Sequence, residues 1–131
     1  MKYPQTRLRR NRQTSYIRNL TQENFVSKFD LIYPVFVLDG ENRSEPILSM
    51  PGQSRLSIDL LLLLLDSAVT DGLQGVAIFP VIEFAKDDLA TESYNENGLV
   101  PRIIKAIKQS FPDLGVFTDI ALDPYTIHGQ D

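Results

Sequence analysis

The sequence has no cysteine and no tryptophan, and His128 is its single histidine. The absence of cysteine excludes disulfides, thiolate zinc sites and a cysteine nucleophile. A single imidazole excludes a zinc site built from several histidines and limits any Ser-His-Asp triad to His128, which lies in a predicted loop and is interpreted as a surface residue. The seven glycines are scattered and form neither a GxGxxG motif nor a P-loop.

Long apolar runs are also missing. The longest, six leucines from Leu60 to Leu65, ends at Asp66 and is far shorter than the roughly 18 residues that span a membrane. We therefore expect no membrane partner. No apolar core segment follows the N-terminal arginines, so no secretory signal is visible and a cytoplasmic location is expected.

Charge is unevenly distributed along the chain. Residues 1–22 contain six basic residues and no acid, whereas the remainder has seven basic and 17 acidic residues, a net charge of -10. The six are Lys2, Arg7, Arg9, Arg10, Arg12 and Arg18. Such a segment fits nucleic-acid binding, organelle targeting or docking on an acidic neighbouring subunit. Few aromatics argue against nucleic acid, and Pro4 with few serines argues against a transit peptide, so subunit docking is favoured, with a solvated tail next.

Three apolar runs rich in β-branched and aromatic residues predict buried strands. They are residues 31–37, 75–81 and 114–118. Two helices are predicted between them, from an N-cap at Ser57 to about Asp71 and from about Pro101 to Phe111. The leucine run covers every side of the first helix, which predicts a heavily buried helix. Residues 41–56 contain two prolines and a glycine and are predicted to form a loop.

Alternating strands and helices predict an α/β fold with a parallel sheet covered on both faces and right-handed crossovers. Two architectures fit, namely an open doubly wound sheet and part of a (β/α)8 barrel. A closed barrel needs about 250 residues. The chain has 131 residues, with no helix predicted after the third strand, so the domain is expected to be incomplete.

Acidic side chains follow each predicted strand, where parallel α/β proteins bind their ligands. They are Asp39, Glu83, Asp119, Asp123 and Asp131. Carboxylates beside a buried strand are costly to desolvate unless they serve a cation, a basic ligand or a hydrogen-bond network. The alternative is that they cap loops or helix starts, and the turn-forming dipeptide Asp123-Pro124 favours it.

Several collinear segments resemble the delta-aminolevulinic acid dehydratase family, also called porphobilinogen synthases. The resemblance covers essentially residues 6–131 and is most specific over residues 118–131, TDIALDPYTIHGQD. The other matching segments are Arg7–Arg12, Leu31–Val37, Ser49–Gly52, Arg55–Ser57, Gly98–Val100 and Ile104–Lys108. It implies the N-terminal portion of a (β/α)8 TIM barrel, about two-fifths of a family member. Residues 1–30 would be an extended oligomerisation arm of a homo-octamer, and residues 31–131 the first three strands and two helices.

The resemblance also implies an activity. Family members are lyases that condense two molecules of 5-aminolevulinate into porphobilinogen, in tetrapyrrole and heme biosynthesis. Their two Schiff-base lysines lie in later strands, and none of the lysines here matches them, so this chain alone is expected to be inactive. By resemblance, Asp119, Asp123 and Asp131 line the active site, where they hold a cationic amino or iminium group and assist proton transfers.

Many family members bind a catalytic zinc through three cysteines, whose positions here hold Ala121, Asp123 and Asp131. The chain therefore resembles the bacterial class that lacks this zinc site and that magnesium stimulates. The activating magnesium would be bound by residues outside this chain, so no metal ligand is assigned. Two other hypotheses stay open, namely a non-catalytic protein that binds full-length synthase subunits through the arm, and a small α/β domain that binds a cationic metabolite.

Overall fold

The computed structural model describes residues 2, 4–5 and 9–130. Within them, five strands form one sheet in the order β2-β3-β1-β4-β5. The strands are β1 (Tyr33–Leu38), β2 (Ser44–Pro46), β3 (Ser54–Leu56), β4 (Gly75–Val81) and β5 (Gly115–Thr118). The α-helices are α1 (Ser15–Leu20), α2 (Ile58–Thr70) and α3 (Leu99–Ser110). Short 3-10 turns lie at Arg10–Arg12, Lys28–Asp30 and Thr91–Tyr94.

The predicted α/β class is confirmed, and the three predicted strands are β1, β4 and β5. β4 pairs in parallel with both of the others and is in register with β1 over six residues, from Tyr33 opposite Val76 to Leu38 opposite Val81. Pro34, which cannot donate a hydrogen bond, lies before the part of β1 that β3 pairs with. The edge strands β2 and β5 do not pair with each other, so the sheet formed by the described residues is open.

The prediction of a loop over residues 41–56 is wrong. β2 and β3 lie there as an antiparallel pair, and β3 also extends the sheet by pairing in parallel with β1 at Phe36 and Val37. Strands of three residues are too short to show the period-two alternation that identifies a strand in a sequence. Helix α1 lies within residues 1–30 and was not predicted either.

The core lies between one face of the sheet and helices α2 and α3. Alternate residues of β1 and β4 point to this face, as the period of a strand requires. The buried residues of this core cluster are Val35, Val37, Leu61, Leu65, Val76, Ile78, Leu99, Ile103, Ile107 and Leu114. Along the chain, β1, β4 and β5 are added to the sheet in one direction. Because connections between parallel strands are right-handed, the connecting helices α2 and α3 then lie on the same face of the sheet. This winding is that of a (β/α)8 barrel and differs from that of a doubly wound sheet.

Two burial predictions are therefore wrong. The sheet is covered by helices on one face, and its other face presents Phe36, Phe79 and Phe117, with the rings of Phe36 and Phe79 stacked at 5.6 Å. Helix α2 buries Leu61 and Leu65 completely, whereas Leu63 is 70% exposed. The leucine run covers all sides of the helix, but a helix that lies on a sheet buries one side.

The two leucines give a matched stability test. We expect Leu61→Ala to lower the free energy of unfolding by about 2–5 kcal/mol, because it leaves a cavity in the core. Leu63→Ala removes the same atoms from an exposed position, so it should change the free energy of unfolding by no more than about 0.5 kcal/mol. Urea denaturation followed by circular dichroism measures both, and equal losses would contradict the burial of one side of α2.

Candidate functional site

The parallel strands β1, β4 and β5 end at the same edge of the sheet, and the predicted acidic residues follow these ends. The structure separates them into two cavities. A cavity of about 350 Å³, here the charged cavity, is lined by residues that include Asp39, Arg43, Glu83 and Arg102. A second, of about 270 Å³, here the aspartate cavity, is lined by residues of β4 and of the segment after β5.

Asp39, directly after β1, is paired with Arg102 of helix α3. The guanidinium is bidentate on the carboxylate, with Nη1–Oδ1 at 3.1 Å and Nη2–Oδ2 at 2.7 Å. The Gly40 N–H also donates to Oδ1, at 2.9 Å. The hydrogen bonds from Arg102 hold the pKa of Asp39 below its usual value. The pair ties the end of β1 to the first turn of α3.

Glu83, two residues after β4, is paired with Arg43 of the connection between β1 and β2. Arg43 donates to both Glu83 oxygens, at 2.9 and 3.1 Å, to Glu45 Oε1 at 2.6 Å and to the carbonyl of Asp39 at 2.8 Å. These hydrogen bonds lower the pKa of Glu83 and raise that of Arg43. Ser57, at the N-cap position of α2 as predicted, does not cap the helix but accepts the Arg43 N–H through its hydroxyl.

Asp39 and Glu83 therefore lie at the strand ends, as predicted, but their arginine partners were not predicted. Arg43 and Arg102 reach carboxylates that lie 40 and 63 residues away in the chain. No local spacing connects such pairs, although an arginine in the first turn of a helix, where the dipole disfavours a cation, is a signal that a carboxylate lies near. Both carboxylates are neutralised by arginines, so the charged cavity is a structural junction between β1, β2, β4 and α3.

Asp119 and Asp123 are brought together, since both line the aspartate cavity with Phe79 and Tyr125. Asp119 Oδ1 accepts the N–H of Ile120 at 2.8 Å, and both aspartates are exposed. Burial raises the pKa of the Tyr125 hydroxyl beside them. Asp131, the third predicted site residue, lies outside the described residues.

The segment after β5 folds back on itself and against the loop after β4. The Tyr125 N–H donates to the Leu122 carbonyl at 2.9 Å, as expected for a turn at Asp123-Pro124. Asp87 and Thr126 form an isolated parallel bridge, in which the Asp87 N–H donates to the Tyr125 carbonyl and the Ile127 N–H donates to the Asp87 carbonyl, both at 3.2 Å. His128 is exposed, and its Nδ1 accepts the N–H of Gln130.

Among the described residues, no group of three or more histidines, cysteines, aspartates or glutamates is placed to hold a metal ion. No helix of the same part of the chain is both long and apolar enough to cross a membrane.

The Asp39–Arg102 pair makes a pH-dependent contribution to stability. Because folding lowers the pKa of Asp39, the contribution is present above the unfolded value of about 3.9 and is lost as the pH falls through the folded value. The pair is partly exposed, so we expect Asp39→Asn to cost less than about 1 kcal/mol at pH 7. The difference between the two proteins should shrink as the pH is lowered from about 5 to about 3.

A double-mutant cycle with Arg102→Gln provides the control for this pair. The double variant should be little less stable than either single variant at pH 7, because each removes the same interaction. Urea denaturation at several pH values measures this, and additive losses would contradict a direct pair.

Comparisons with known proteins agree with the resemblance found in the sequence. The family model "Delta-aminolevulinic acid dehydratase" matches residues 5–131. A delta-aminolevulinic acid dehydratase of Bradyrhizobium diazoefficiens is 41% identical over 126 residues, 95% of this chain and 36% of the relative. One of Methanothermus sociabilis is 43% identical over 130 residues, 99% of this chain and 40% of the relative.

A solved structure is also similar. The delta-aminolevulinic acid dehydratase (porphobilinogen synthase) of Toxoplasma gondii ME49, in complex with the reaction product porphobilinogen, is 48% identical with a TM-score of 0.83. The match covers 93% of this chain and 35% of that one. The chain thus spans about two-fifths or less of the length of these relatives. From the family match over residues 5–131, the chain belongs to the delta-aminolevulinic acid dehydratase family and corresponds to its N-terminal part.

Proposed function

We propose that this chain is the N-terminal part of a porphobilinogen synthase, a lyase that condenses two molecules of 5-aminolevulinate into porphobilinogen in heme biosynthesis. The observation that carries the proposal is the likeness to the Toxoplasma gondii enzyme with bound porphobilinogen, at 48% identity over 93% of the chain. The position of the aspartate cavity adds support, because barrel enzymes react at the carboxyl ends of their strands.

The chemistry assigned to the aspartate cavity is electrostatic. The reaction joins two molecules through one C–C and one C–N bond with loss of water, and it passes through cationic amino and iminium groups. The carboxylates of Asp119 and Asp123, which line one cavity, would stabilise these cations and exchange protons with them. Asp131 is assigned the same role by resemblance.

The lysines of this chain do not suit Schiff-base formation. Such a lysine needs a desolvated position that lowers its pKa and frees the amine for attack. All five lysines are exposed, and none lines the aspartate cavity. Lys108 donates to the carbonyls of Pro112 and Leu114, before β5 begins and away from its carboxyl end. The reactive lysines are therefore assigned to a part of the enzyme outside residues 1–131, as is any activating magnesium site.

Two exposed apolar surfaces support a larger protein. The sheet face opposite the helices presents Phe79 and Phe117, 40% and 51% exposed, where the interior of a closed barrel would lie. Residues 9–30 contain no buried residue, and their apolar side chains include the exposed Tyr16, Leu20 and Phe25. Exposed apolar clusters mark contact surfaces. We assign the first surface to further strands of a (β/α)8 barrel. The second surface, on residues 9–30, belongs to the segment 1–30, which we assign to contacts between subunits of a homo-oligomer, an octamer by resemblance, with the cytoplasm as its location.

A chimera tests the activity. Residues 5–131 replace the matching segment of the Bradyrhizobium diazoefficiens relative, and porphobilinogen formation from 5-aminolevulinate is measured. We expect the chimera to be active and the 131-residue chain alone to be inactive.

Asp123→Asn in the chimera should lower kcat by about 100-fold or more, the usual effect of losing an acid–base group. Asp113→Asn, before β5, is the matched control and should leave kcat unchanged. A correctly assembled but inactive chimera would overturn the proposal.

The arm has its own test. Deletion of residues 5–30 from the chimera should reduce the oligomer to smaller species, because the apolar and basic groups of this segment would no longer hold subunits together. Analytical ultracentrifugation measures the size. Unchanged assembly would overturn the oligomerisation role.

The alternative function is that of a non-catalytic protein that acts through the arm. It predicts instead that the free chain enters oligomers of the full-length relative and lowers their activity.

A further inference from the structure

The segment that follows β5 contains a buried polar side chain that none of the roles above explains. Thr126 is 4% exposed, and Ser57 is the other buried polar residue in the part of the chain that the structure describes. Burying a hydroxyl is costly unless it is hydrogen-bonded. The Thr126 hydroxyl lies 3.0 Å from the carbonyl oxygen of Gln130 and 3.4 Å from that of Asp123.

These two carbonyls belong to opposite ends of one loop. Asp123 begins the loop, and Gln130 immediately precedes Asp131 in the sequence. A hydroxyl can donate only one proton, so the two carbonyls share the Thr126 O–H group, and the contact to Gln130 is the shorter one. The Thr126 side chain thus fastens both ends of the segment that bears two of the three aspartates assigned to the active site.

The loop after β4 supports this fastening from the other side. Asp87 bonds through its backbone to Tyr125 and Ile127, on either side of Thr126. Its carboxylate Oδ1 accepts the N–H groups of Leu89 and Thr91 at 3.0 and 2.9 Å, which hold the loop in one conformation. Two loops from neighbouring strands are therefore joined at a single point, with Thr126 at its centre.

We propose that Thr126 is a positioning residue of the porphobilinogen synthase reaction, which holds the loop in place at Asp123 and at Gln130 through its buried hydroxyl, and that Asp87 supports it. This inference rests on the proposed function. The physical reason for the positioning role is that small displacements of reacting groups lower reaction rates strongly, by about 100-fold for roughly 1 Å. Thr126 does not line the aspartate cavity, so it acts through the carboxylates and not on the substrate.

The first measurement uses the 131-residue chain itself. Thr126→Val keeps the shape of the side chain and removes the hydroxyl, whereas Thr126→Ser keeps the hydroxyl. Amide hydrogen exchange should become at least about tenfold faster at Asp87 and Ile127 in Thr126→Val and should stay near the original rate in Thr126→Ser. Unchanged exchange in Thr126→Val would overturn the fastening.

The second measurement uses the chimera, whose own activity reports on the proposed function. Thr126→Val should lower kcat about ten- to a hundredfold with a change of less than about threefold in KM, and Thr126→Ser should restore most of the rate. Faster exchange with an unchanged kcat would leave Thr126 a structural residue and overturn the positioning role. If the chimera without substitutions is inactive, the proposed function fails and the positioning role with it, while the exchange result still decides the fastening.

A second variant tests the same role independently, in case Thr126→Val does not fold. Asp87→Ala removes the carboxylate that orders the supporting loop. Like Thr126→Val, it should make amide exchange at Ile127 faster and lower kcat. Asp88→Ala, the exposed neighbour, is its matched control and should change neither. A normal kcat in Asp87→Ala, with exchange faster, would contradict the support assigned to the loop after β4.

Discussion

The parallel pairing of β1 with β4 is the constraint on which the rest of the structure depends. Six residues of each strand are in register, so Phe36 is set on Phe79 on one face, and Val35 is set beside Ile78 on the other. Because the strands run in the same direction, their polar ends meet at one edge. The same register thus builds the core on one face and gathers charges at the end of the sheet.

Gathering carboxylates at one edge has an electrostatic cost, because like charges repel and each loses water. At the ends of β1 and β4 this cost is offset by two arginines, and the two bidentate pairs connect segments that are distant in the chain. At the end of β5, Asp119 and Asp123 line a cavity together with Tyr125. The same edge thus holds a junction of ion pairs and the aspartate cavity.

Hydrogen bonds between loops complete this edge. The apolar side chains of Ile120 and Ile127 in the segment after β5 are exposed. Its conformation is held by a turn, by the bridge to Asp87 and by the Thr126 hydroxyl. Such interactions are individually worth about 1 kcal/mol. A loop held in this way keeps its shape while its carboxylates remain accessible, which is the arrangement that loops on a rigid scaffold offer for binding and catalysis.

Local patterns in the sequence determined the α/β class, the three long strands, helices α2 and α3 and the position of the acidic residues, because period and turn chemistry are encoded in neighbouring residues. The specific segment 118–131 determined the family. Tertiary structure alone decided that β2 and β3 pair, that Leu61 is buried while Leu63 is not, and that Arg43 and Arg102 neutralise Glu83 and Asp39. Each of these depends on which distant segments meet in space, and a pattern of neighbouring residues contains no information about that.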